Sequence, residues 1–137
     1  MELVLKRDME KLIDDTKKVK KGLESLEMDH AAWATDRERE ELGDILEGVR
    51  CLELDVSILM GNCVSLNQMN RNNGVKGDLH LAFKDLNILF EDLKTARKEI
   101  DQSYLSQGEL EHLEIDWARF SKTVEQIHED FQQGEKE

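Results

Sequence analysis

Apolar residues recur at alternating three- and four-residue intervals along almost the whole chain. A strand, whose side chains alternate with a period of two, cannot use that spacing. Leu5, Met9, Leu12, Val19, Leu23, Leu26 and Trp33 form a first seam, with Thr16 and His30 in its remaining places. A second runs through Ile45, Val49, Leu52, Val56, Leu59, Cys63 and Leu66, and a third through Leu79, Phe83, Leu86, Phe90, Leu93, Arg97, Ile100 and Tyr104. The fourth is Leu110, Leu113, Trp117, Phe120, Val124, Ile127 and Phe131. Heptad seams of this kind predict helices packed along their length. The 137 residues contain no proline, so no seam meets the strongest helix breaker.

The clearest break is Asn70-Arg71-Asn72-Asn73-Gly74-Val75-Lys76-Gly77-Asp78, where Asn and Gly supply turn conformations and Asp78 can cap the next helix. It predicts one helical domain over 1–137, with halves 2–69 and 78–133 joined by a loop at 70–78. The seams slip phase near 35–42 and 104–109. Thr35 with Glu38 and Ser106 with Glu109 have the spacing of capping boxes. The first slip contains neither Gly nor Asn, which favours a stutter or gentle bend there over a reversal.

Stripe width then sets the expected architecture. Between Cys51 and Leu66 the apolar face spreads beyond the seam to Leu54, Ile58, Met60 and Val64, and no charge occurs from Ser57 through Asn70. Leu81, Phe83, Leu86, Ile88, Leu89, Phe90 and Leu93 are similarly broad. Two helices leave part of these stripes in water. The expected fold is therefore all-α: a long antiparallel hairpin, an interrupted coiled coil, that dimerises into a four-helix bundle, with a compact monomeric four-helix bundle as the alternative. The interface candidates for the homodimer are Val56, Leu59, Cys63 and Leu66 meeting Leu86, Leu89, Phe90 and Leu93. Folding about Gly74 would make Trp33 and Trp117 neighbours and bring Lys17, Lys18, Lys20 and Lys21 near Glu125, Glu129, Asp130 and Glu135.

Charge and composition remove several functions. A formal charge of −12 offers no broad positive surface for phosphate, so nucleic acid is not an expected partner. The run Lys17 to Lys21 reads as a solvated face or as a partner for the acidic C-terminal segment, with docking to acidic lipid as the lesser reading. No stretch approaches the roughly 18 uninterrupted apolar residues of a membrane span, so no stable membrane insertion is expected. Cys51 and Cys63, twelve residues apart in one helix, cannot bridge within it; they read as free, buried packing thiols, and the compartment as intracellular, cytoplasmic or nuclear.

Three histidines follow a glutamate at helical i, i+3 spacing: Glu27 and His30, Glu109 and His112, Glu125 and His128. Carboxylate-bridged metal bundles use such pairs, but they need them pointing inward at one level, and His128 lies beside its seam. Neither cysteine has a nearby histidine, and Gly43, Gly48 and Gly61 lack the spacing of a phosphate loop. No catalytic, cofactor-binding or metal residue is assigned. The expected function is a non-enzymatic helical assembly, scaffold, adaptor or regulatory protein acting through protein–protein interaction. The alternative is a metal-binding helical-bundle enzyme or carrier using the Glu-x-x-His pairs.

Overall fold

Four helices account for nearly all of the computed structural model, which describes residues 3–31, 35–65 and 73–136. They are α1 (Leu3–Ala31), α2 (Thr35–Ser65), α3 (Asn73–Asp101) and α4 (Gln107–Lys136). The loop expected at 70–78 is already helical from Asn73, so Gly74 and Gly77 lie within α3. Leu66 and Trp33, with the pairing expected between Trp33 and Trp117, lie outside the described residues.

The expected hairpin dimer is overturned. Helix α1 packs on α2, α2 on α3, α3 on α4, and α4 closes back on α1, so one chain supplies all four helices of the bundle. Residues 35–42, expected to bend, are continuous helix at the start of α2, and the chain has already reversed before them: Asn62 donates to Asp8 at 2.7 Å and His30 meets Glu38 at 3.5 Å, contacts at opposite ends that only antiparallel α1 and α2 can make. The seams of α2 and α3 are therefore buried by the chain's own α1 and α4, with no second chain needed to complete the core, while Leu54, Ile58, Val64 and Leu81 at the outer edges of the wide stripes stay exposed. A scaffold or adaptor role inferred from an extended coiled coil falls with that shape.

Most seam residues form the continuous core, including Leu12, Val49, Leu59, Leu86, Phe120 and Ile127. The third seam is rotated from the one drawn through Phe83, Phe90 and Arg97. Ala82, Leu89 and Ala96 are buried instead, while Phe83 and Phe90 pack half-buried at the core's edge. Lys94 lies over the Phe90 ring, its Nζ 4.7 Å from the centroid.

The turn between α3 and α4 is set by hydrogen bonds. Ser103 adopts φ 70°, Ser103 N–H donates to the Ile100 carbonyl at 2.8 Å, and Tyr104 N–H donates to the Glu99 carbonyl at 3.1 Å. This is the Schellman pattern, with serine where glycine is usual. Ser106 then caps α4: its Oγ accepts from Glu109 N–H at 3.2 Å. The return half of the expected capping box comes from elsewhere, because Ser106 N–H donates to Glu99 Oε1 at 2.8 Å. Thr35, the corresponding cap of α2, has its side chain outside the described residues, and its partner Glu38 is buried against His30.

Candidate functional site

Six of the interface candidates, Val56, Leu59, Cys63, Leu86, Leu89 and Leu93, are fully buried within the single chain; Phe90 is half-buried, and Leu66 lies outside the described residues. The exposed apolar residues of α2 lie outside its seam. On α2 the residues Leu54, Ser57, Ile58, Gly61, Val64 and Ser65 are all exposed. Their three- and four-residue spacing puts them on one outward side of the helix. Leu54 is 59% exposed, Ile58 42% and Val64 64%, and a Cβ added to Gly61 would meet nothing within 4 Å. This side carries no charge from Ser57 onward, on a chain in which 36% of residues are charged.

A second arrangement escaped the sequence reading, although its signal is visible there. Asp78, Asp85, Asp92 and Glu99 recur every seventh residue on α3, and Glu109, Asp116, Thr123 and Asp130 do the same on α4. Antiparallel packing sets the two rows face to face. Asp78 faces Asp130, Thr123 Oγ1 donates to Asp85 Oδ2 at 2.9 Å, Asp92 faces Asp116, and Glu99 stands near Glu109. The α1–α2 hairpin repeats the pattern with Asp8 opposite Asn62 and Asp15 opposite Asp55. Positions that flank a coiled-coil seam normally pair opposite charges. Here acid meets acid.

Two carboxyls that face each other in a partly desolvated groove resist ionising together, so one of each pair is pushed toward its protonated form. Burial, then the hydrogen bond and charge of Asp15, push Asp55 up to about 7. Burial and Asp130 push Asp78 up to about 7, and burial and Asp92 do the same to Asp116. Glu109 is raised by burial and by the charges of Asp92 and Glu99. Asp15 takes the ionised role: the hydrogen bond from Asp55 and that from Lys11, at 3.1 Å, hold it below the usual range.

The Glu-x-x-His pairs are not gathered together. Glu27 and Glu125 are exposed, His112 is exposed, and His128 lies against Gln132 at 3.3 Å. His30 meets Glu38 of α2 rather than Glu27. Among the described residues no group of three or more His, Cys, Asp or Glu could hold a metal ion. Cys63 is buried, and burial pushes its thiol up to about 11, whereas Cys51, expected to be buried, is exposed. Of the basic run, Lys18 reaches Asp15 in its own helix at 3.8 Å. Among the described residues no helix is long and apolar enough to cross a membrane.

Comparison with family models, with curated proteins and with solved structures gives no match to this chain in any of the three.

Proposed function

We propose that this chain is a non-enzymatic regulatory bundle that acts through protein–protein interaction, and that the outward side of the C-terminal half of α2 is its contact surface. The observation that carries the reading is the uncharged strip from Leu54 to Ser65, held in water although the bundle core is already filled by other residues. Covering Leu54, Ile58 and Val64 would stabilise a complex by about 1 kcal/mol each, since each is already partly shielded by its own helix. The gap at Gly61 lets a partner side chain approach the α2 backbone. An amphipathic helix laid along the strip uses both features.

Photo-crosslinking in native extract tests this. A crosslinking residue at Ile58 is expected to capture a discrete protein, and the same residue at Ile115, exposed on α4 among Glu111, Glu114 and Lys122, is not. Capture at Ile58 should vanish in a folded Leu54→Glu, Val64→Glu variant. Equal capture at both positions, or none at Ile58, would sink the reading. Elemental analysis of protein purified without chelator tests the metal-binding alternative, which requires stoichiometric metal lost on replacing His30, His112 and His128.

A further inference from the structure

The carboxyl pairs lie within the folding hairpins rather than on a surface that meets substrate, and this determines what they can do. We propose that they make the bundle a proton-dependent latch: the α1–α2 and α3–α4 grooves are each closed by protons shared between facing carboxyls, and both hairpins loosen as pH rises through neutrality.

The geometry carries the argument. Asp15 and Asp55 face each other between α1 and α2, and Asp78 with Asp130 and Asp92 with Asp116 do so between α3 and α4, at two levels fourteen residues apart with the Asp85–Thr123 hydrogen bond midway. Asp55 and Asp116 are more than nine-tenths buried, and each keeps a buried Oδ2 with no hydrogen-bond partner. Glu109, at the end of the same row, has a buried Oε1 in the same condition. A buried carboxylate oxygen without a donor is costly, and a proton is the ligand that relieves it.

The charged groups facing each pair fix how strongly it responds. Asp55 faces Asp15, Asp8 and Lys11 from α1, and Lys11 lies 3.8 Å from it, while Lys18 lies 3.8 Å from Asp15. Asp116 faces Asp92 from α3, with Arg119 and His112 of its own helix opposing its rise. Asp78 faces Asp130, whose other oxygen accepts from Gln126 at 3.0 Å. Glu109 faces Asp92 and Glu99, with His112 opposing. The positive groups moderate the pairs without replacing the shared proton.

The linkage has a definite sign. Asp55, Asp78 and Asp116 are raised from 3.8 to about 7 in the folded chain, so between those values the folded state holds protons that the unfolded state has released. Stability then falls as pH rises through that window and levels off above it. This is opposite to the trend set by salt-bridged carboxylates. Each retained proton raises the unfolding constant up to tenfold per pH unit, and partial solvation of the grooves reduces that.

Urea unfolding of the full chain at several values between about pH 5 and pH 8 is the test, with the unfolding constant expected to rise by roughly a hundredfold or more across the range. In Asp55→Asn, Asp78→Asn, Asp116→Asn, each amide donates to the facing carboxylate as the protonated acid does, and the dependence should shrink to less than a tenth of the parent's. Asp116→Asn alone should remove about a third of the logarithmic slope, which serves if the triple variant does not fold. His112→Gln removes the imidazole that neighbours Asp116 and Glu109, and should leave the slope in place. A parent whose stability is flat or increases across the range overturns the proposal. So does an Asn variant that keeps the parent's slope, or a His112→Gln variant that loses it.

Discussion

Replacing Gly48 with alanine sets a local gain against a tertiary cost, and the structure decides the sign. Inside a helix, alanine is favoured over glycine by about 1 kcal/mol, because glycine loses more backbone freedom on folding. A Cβ at Gly48, however, would stand 2.7 Å from Val19 Cγ2 on α1. Carbon atoms pack at about 3.5–4.0 Å, so the overlap is about 1 Å. Val19 cannot turn aside, since a β-branched side chain in a helix has essentially one rotamer and this one is only 2% exposed in the core. Overpacking of this size costs about 1–3 kcal/mol. The net expectation is destabilisation by about 1 kcal/mol, read as a lower midpoint in urea unfolding followed by far-ultraviolet circular dichroism. Gly43 is the internal control: a Cβ there meets nothing within 4 Å, so Gly43→Ala should stabilise by about 1 kcal/mol. In a Val19→Ala background the Gly48→Ala substitution should reverse sign, because the obstructing methyl is gone. If Gly48→Ala stabilises the parent as much as Gly43→Ala does, α1 and α2 do not approach closely at this level, and the register assigned to the first hairpin is wrong.

Leu59→Asp puts an unpaired carboxylate at a position with 0% exposure and is expected to cost about 4 kcal/mol or more, enough to unfold much of the chain by circular dichroism, whereas the exposed Glu40→Lys should change little. Ser103→Gly should raise stability by about 1 kcal/mol by relieving the left-handed backbone at φ 70°, while Ser106→Ala should lower it by about 1 kcal/mol through loss of the cap on Glu109; thermal midpoints moving the other way would refute the turn geometry. A chromogenic disulfide reagent should titrate the exposed Cys51 quickly and the buried Cys63, its thiol pushed up to about 11, only at the rate of unfolding; two equally fast thiols would contradict the core assignment.

Local information in the sequence determined the helices and most of the face each one buries. The spacing of Leu110, Leu113, Phe120 and Ile127 is a property of neighbours along one helix, and so could be read without knowing what the helix packs against. Ser106 opposite Glu109 announced the start of α4 for the same reason. Direction and partner were decided elsewhere. The reversal between α1 and α2 carries no Gly or Asn signal, and the turn after α3 uses Ser103 in a conformation that glycine usually marks. A heptad seam is satisfied equally by another helix of its own chain or by one from a second chain, because apolar burial is non-directional. Only the packing of all four helices in one chain distinguishes these, and it turned six expected interface residues into core. The carboxyl pairs depend on both levels. Asp78, Asp85, Asp92 and Glu99 at every seventh position are plain in the sequence, but alone they read as a solvated acidic side. Their meaning changes once the antiparallel register of α4 sets Asp116 and Asp130 against Asp92 and Asp78, because a carboxyl's charge state depends on what faces it across the groove and on how much water the groove admits.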